Sequence, residues 1–325
     1  MMRNRPRYFA FHALLAERGL FALVTLLVIT LSVIPLGRLL LEGIAPGGQF
    51  GLGVLDEVLS ANSTWRAVER SIVTALGGTA ISLLLGVPLA ILVALTDIRC
   101  KSILVFAFMV PLMIPPQITA LSWVQLFGPS SALLKMLGLA PPLGSPHPLY
   151  SAEGIMLLLG VQHAPLVFLA LRAGLRTLPR EMVEAARGVG ATPARVLRDI
   201  VLPIMTPPLV AGGALAFVSA LGNFGIPAML GIPIGYATLP VLIYQRLSGF
   251  GPDIISEVAV LSIIIGLLAL VGIAAQRWLL SRGDYRTIGG ASRTLELPLG
   301  RARAVTEALC WLVLLVILVA PPIVR

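Results

Sequence analysis

Residues 184–203 read EAARGVGATPARVLRDIVLP, a polar, arginine-studded segment set between two long apolar stretches. Thr177 and Pro179 open a short helix that runs through Glu181, Glu184, Ala185 and Ala186. Gly188 and Gly190 stop it, because glycine accepts the left-handed geometry of a helix C-terminus. A second helix follows at once. Thr192 is a suitable N-cap with Pro193 in the first helical position, and Val196, Leu197, Ile200 and Val201 recur at helical spacing before Pro203 ends the run. Two short helices meeting at a corner of small residues allow another protein's surface to approach closely, so the segment reads as a docking element.

The chain around it is too apolar to be soluble. Hydrophobic residues make up 57% of the 325 positions and charged residues 12%, with a mean hydropathy of +0.95. That composition belongs to a multi-span membrane protein. A helix needs roughly 20 apolar residues to cross a hydrocarbon core of roughly 30 Å, and about seven such runs are present, near 20–41, 71–95, 103–127, 154–175, 204–228, 257–280 and 305–324. The period-two alternation of barrel strands is absent, so the fold class is an all-α polytopic membrane protein. The first run is longer than a signal-peptide core and no A-x-A-like site follows it closely, so it is read as a retained span.

Basic residues orient the chain. Of the 24 lysines and arginines, 18 fall on one side when the spans are walked in order: those before the first span, Arg99 and Lys101, the set from Arg172 to Arg198, and the set from Arg277 to Arg303. By the positive-inside rule, segments 1–18, 97–102, 176–203 and 281–304 are cytoplasmic, whereas 42–69, 128–153 and 229–256 are external. The formal charge of +9 is therefore explained by a membrane-facing rim and requires no nucleic acid. Cys100 and Cys310 lie far apart and form neither a disulfide framework nor a paired metal spacing.

No G-x-x-x-x-G-K-[ST] loop occurs, so the chain does not hold ATP by that route, and neither H-E-x-x-H nor G-x-S-x-G is present. Polar residues inside apolar spans are candidates for a solute path because burying them there is costly. Pro111, Pro115 and Pro116 break the third span, with Gln117 and Gln125 following; His163 sits beside Gln162 in the fourth; and Asn223 lies in a G-N-F-G-I-P break at the end of the fifth. Each has a plainer alternative. The amides suit solvated helix ends, His163 suits a carbonyl freed by a proline, and Asn223 suits a helix cap. Glu257 suits the positive end of the sixth helix. Gly212-Gly213 and Ser219 suit close helix packing.

The spacing E-A-A-x-x-x-G, nine residues, then I-x-L-P is matched at Glu184, Ala185, Ala186, Gly190, Ile200, Leu202 and Pro203. In this the chain resembles the permease subunits of binding-protein-dependent ABC importers, whose coupling loop carries that pattern. The resemblance implies a type I ABC importer transmembrane domain over 20–280, with core spans about 71–280 and the coupling loop at 176–203. It implies a bacterial inner-membrane location, a cytoplasmic ATPase dimer that binds the ATP and docks on the loop, and a periplasmic or lipid-anchored binding protein that delivers solute. The overall likeness is to the ferric-iron and organophosphonate-type branch, so ferric iron leads, with 2-aminoethylphosphonate, thiamine, polyamine and sulfate as alternatives. Members of that branch often carry an aspartate where Asn223 stands, which leaves the solute open. They are often two permease halves in one chain, the alternative for the second half being a homodimer partner. The basic linker 281–304 and the apolar run 305–325, whose basic opening and closing proline echo Arg18 through Pro35, are accordingly read as the start of a second half. The rival class, an ion-coupled secondary carrier, would place charged residues mid-span, where only Gln, Asn and His occur.

Overall fold

The computed structural model describes residues 19–45, 51–142, 144–176, 178–251, 253–282 and 299–319. The basic tail 1–18, Thr177, most of the linker and residues 320–325 lie outside the described residues. The chain divides into two units, one comprising 1–61 and 245–264, the other 62–244 and 265–325.

The first unit is built on α1 (Gly19–Ile44), the short α2 (Gly53–Ser60) and the opening of α12 (Ile254–Ser281). Gly43 lets α1 close on this opening, since a side chain there would meet Ile263 at 3.0 Å. Ser256 donates to Glu42 at 3.3 Å. Glu257, in the first turn of α12, pairs with Arg246 at 3.0 Å, so its carboxylate serves both a helix N-terminus and an ion pair.

The second unit is organised by α3 (Asn62–Leu95) and α6 (Ala152–Leu175), which pack along most of their length. In a bilayer no hydrophobic effect drives helices together, so contact depends on small residues that let backbones meet. Gly78 faces Leu159, where a Cβ would come within 2.8 Å, and Gly86 faces the Ala164 carbonyl at 2.7 Å. Ser82 Oγ donates across the seam to Gly160 at 2.9 Å. The contacts ascend together on both helices, which therefore run parallel. α9 (Thr206–Leu221) packs antiparallel to α6, with Gly174 on Pro208 and Gly212 on Val167. The ends of α3 and α6 and the start of α9 thus share one end of the unit, and the loop at 176–203 lies there.

Proline shapes the rest. α4 (Lys101–Met113) and α5 (Pro116–Phe127) meet at 101°. Pro115 has no N–H for the Pro111 carbonyl, and the bend strands the Ile114 carbonyl as well. The buried Gln162 amide donates to both, at 2.6 and 3.2 Å. Phe108 closes the α4–α6 contact edge-on to Phe168 at 5.3 Å. Beyond α9, α10 (Gly225–Gly231) and α11 (Leu239–Leu247) form a second broken pair. It is pinned to the start of α3, where Arg70 donates to the Gly235 carbonyl at 2.8 Å and Ser71 Oγ accepts from the Leu239 N–H at 2.7 Å. The last described helix, α13 (Arg303–Leu314), extends through a wider π turn to Val319 and stands against α3 and α4.

Several expected boundaries change. Among the described residues, four helices are long and apolar enough to span a membrane, and counting each of three bent pairs as one span raises this to as many as seven. The run expected at 204–228 ends at Leu221, because Gly222 and Asn223 break it. Segment 229–256, expected to be external, contains most of the apolar α10–α11 pair; Pro233 and Gly235 hid these helices by interrupting the apolar run. Part of 42–69 is helical, in α2 and the opening turns of α3.

Candidate functional site: the loop at 176–203

The loop folds as two helices, α7 (Arg180–Gly188) and α8 (Ala194–Ile204). The corner between them is a Schellman closure. Ala191 N–H bonds to the Ala186 carbonyl and Gly190 N–H to the Arg187 carbonyl, each at 3.0 Å, while Gly190 holds φ at 85°. This satisfies the last carbonyls of α7 and requires glycine at that place. Thr192 Oγ1 then accepts from the Arg195 N–H at 3.4 Å, the expected N-cap. Pro203 does not end the second helix as expected. A π turn at Leu197–Val201 carries it on to Ile204, and the chain then bends by 65° into α9.

Val183, Val196 and Val201 are buried and fasten the two helices to the second unit. The opposite surface is free of such packing. Glu184, Ala185, Arg187, Gly188 and Gly190 are exposed, and no atom outside its immediate neighbours lies within 4 Å of the place a Gly190 side chain would occupy. At the tip stands Val189, 88% exposed. Val189 occupies an unfixed position within the E-A-A-x-x-x-G pattern, so the pattern did not single it out. Ala186 and Ile200 turn partly inward onto the core, whereas Leu202 and Pro203 are exposed where the loop rejoins the bundle.

The four polar residues considered for a solute path separate into two pairs. Gln117 and Gln125 are exposed on one stripe of α5, with Leu121 between them. His163 and Asn223 are buried and internally bonded. His163 Nδ1–H donates to the Leu159 carbonyl at 2.8 Å, which places a proton on Nδ1. Asn223 Oδ1 accepts from the Ile226 N–H at 3.1 Å and caps α10. His163 thus bonds the Leu159 carbonyl rather than the Val161 carbonyl that Pro165 leaves without its helical donor. His147, in the loop before α6, donates from Nε2 to the Val124 carbonyl at 2.9 Å and accepts at Nδ1 from Leu149 at 3.2 Å. Among the described residues, no group of His, Cys, Asp and Glu is placed to hold a metal.

Residues 86–283 match the family of binding-protein-dependent transport system inner membrane components. The putrescine transport system permease protein PotI of Escherichia coli is 30% identical over 73% of this chain and 80% of its own. The putative 2-aminoethylphosphonate transport system permease protein PhnU of Salmonella paratyphi A is 27% identical, over 79% and 91%. The molybdenum transport system permease protein ModB of Mycobacterium tuberculosis is 28% identical, over 67% and 82%. In fold, the chain is similar to a bacterial ABC transporter involved in alginate import, with a TM-score of 0.57, 18% identity and coverage of 83% and 98%. The chain belongs to this family, and it is an inner-membrane permease subunit of a binding-protein-dependent ABC importer.

Proposed function

We propose that the corner at Val189 and Gly190 is the seat of a cytoplasmic ABC ATPase, and that Glu184, Ala185, Ala186, Gly190, Ile200, Leu202 and Pro203 form or support the docked surface. The observation that carries this is the closed, outward-facing turn at Gly190, anchored from beneath by buried valines. ATP is bound by the separate ATPase dimer, whose closure would move α7 and α8 as one body and reorient the spans fastened to them. Such a shift requires the ATPase to bind the two states unequally. The basic loops, and hence the tail 1–18, face the cytoplasm in this account.

Solute arrives from an external binding protein and passes between two permease halves, with Gln117 and Gln125 on the path wall and His163 and Asn223 holding that wall from within. The second half is proposed to continue from α13. Both α1 and α13 contain a π turn ending two residues before a proline, at Val33 before Pro35 and at Val319 before Pro321, which supports reading them as equivalent helices of two repeats. For the solute, the likeness of sequence pointed to ferric iron. PotI, PhnU and ModB are named for putrescine, 2-aminoethylphosphonate and molybdenum, so the proposed class is a small hydrophilic solute selected by the binding protein. Titrating that protein with ferric iron, 2-aminoethylphosphonate, putrescine and molybdate distinguishes them.

The docking proposal is tested with Gly190→Asp. The position has open space around it, so the substitution adds left-handed strain of roughly 1–2 kcal/mol to an exposed turn and a charged side chain to the docking face. Membrane abundance is expected to stay near wild type while ATPase co-purification and solute uptake collapse. Wild-type ATPase recovery and uptake would sink the proposal.

A further inference from the structure

With the 176–203 loop as the ATPase seat and Gln117 and Gln125 as path wall, as proposed above, we infer that Gln162 is the positioning residue that ties this wall to the loop. The α4–α5 bend leaves two carbonyls without helical donors. Pro115 has no N–H to give the Pro111 carbonyl. The Ile118 N–H, which would serve Ile114 in a continuous helix, bonds the Pro115 carbonyl at 2.9 Å instead. Backbone carbonyls within a membrane need partners inside the protein. The Gln162 amide nitrogen donates to both, at 2.6 and 3.2 Å, from a side chain that is 4% exposed. A carboxamide carries two N–H donors in one plane, so the place of Gln162 on α6 sets where α4 ends and in which direction α5 leaves.

Both helices that leave the loop reach this bend. α6 ends at Leu175, directly before the loop, and Leu175, Leu178 and Val183 share one buried core across that junction. α9 begins at Thr206, directly after the loop, and runs to Leu221. Asn223 then caps α10 across the break, and α10 packs against α5. At the contact stands Gly225, where a Cβ would come within 2.9 Å of the Pro116 side chain and 2.8 Å of the Gln117 side chain. The start of α5 is therefore held by hydrogen bonds from α6 and by close packing from the continuation of α9. A displacement of the loop that carries α6 and α9 carries α5 with them, and the exposed stripe of Gln117, Leu121 and Gln125 turns as a unit. Gln162 lies roughly 20 Å along α6 from the loop. Removing its amide frees α5 from α6 and leaves the docking face as it is.

The test uses the assembled importer with spin labels at Leu121 of α5 and Leu169 of α6, both exposed. Gln162→Met keeps the length of the side chain and removes both donors. It is expected to broaden the label distance and to lower the maximal uptake rate about tenfold, with ATPase co-purification and the apparent KM for the loaded binding protein at wild-type levels. Gly225→Ala leaves Gln162 in place, presses on Pro116 and Gln117, and is expected to shift the distance as well. Gly213→Ala, which meets only Leu83 at 3.8 Å, is expected to leave it unchanged. An unchanged distance or unchanged uptake in Gln162→Met overturns the proposal, as does uptake that falls only in step with ATPase recovery. If Gln162→Met does not reach the membrane, an unchanged distance in Gly225→Ala overturns it. Failure of the wild type to retain its ATPase would sink the docking proposal instead, while the label distance would still report on the Gln162 tie.

Discussion

Asn223 stands where the helical run breaks between α9 and α10, and its side chain is committed to the Ile226 N–H. Removing that acceptor leaves a buried donor unpaired at the start of a seven-residue helix, a loss of about 1 kcal/mol. Asn223→Ala should therefore lower the melting temperature of the detergent-purified permease by a few degrees, whereas Asn223→Asp, which keeps the acceptor, should stay closer to wild type. Equal melting of the alanine variant and wild type would remove the cap from the account. The sequence offered both the cap and the path reading for this residue; only the 3.1 Å bond distinguishes what the side chain does here. Gly190 and Thr192 were legible directly, because a positive φ and an N-cap are local demands that one residue type meets. Val189 was not, since exposure depends on which side of the corner packs against the bundle.

Helices announced themselves where an apolar run was unbroken. α3, α6 and α12 were read within a few residues except at the start of α3, whose first turns carry Arg66, Glu69 and Arg70 and so look like loop. The α10–α11 pair was hidden for a physical reason. Proline and glycine interrupt it, and the carbonyls they free are met by remote partners that no local pattern shows. Gln162, serving the α4–α5 bend from a helix 48 residues or more away, is the same case. The tight α3–α6 seam gives a prediction at this scale. Gly86→Val would press against the Ala164 carbonyl, the Val167 side chain and the Phe168 backbone, an overpacking cost of about 1–3 kcal/mol or more. Gly213→Ala meets only Leu83 at 3.8 Å and should be tolerated. Size-exclusion profiles of the two variants check this: loss of the monodisperse peak is expected for Gly86→Val alone.

At the scale of the molecule, α13 is held to the end of α3 by polar contacts that respond to pH. The Leu299 N–H bond, joined by Arg303, holds the Asp97 carboxyl below its ordinary value of 3.8. A carboxyl lowered in the folded state stabilises it above the ordinary value, and that contribution is lost as pH falls through the lowered one. The tether should therefore be unchanged from neutral pH to about 4 and loosen only below it. Asp97→Asn should loosen it at neutral pH. Spin labels at Leu92 and Leu309 in the intact protein measure this, with a broadened distance expected for the variant; an unchanged distance would assign the tether to apolar packing alone.

The claim that organises the molecule is that its exposed corner meets an ATPase, and placing a photoreactive amino acid at Val189 in native membranes tests it most directly. Irradiation should yield one adduct of the permease with its ABC ATPase, and the same probe at Trp65, exposed at the opposite end of α3, should yield none. An unlinked Val189 probe in actively transporting membranes, or an ATPase adduct from Trp65, would contradict the account.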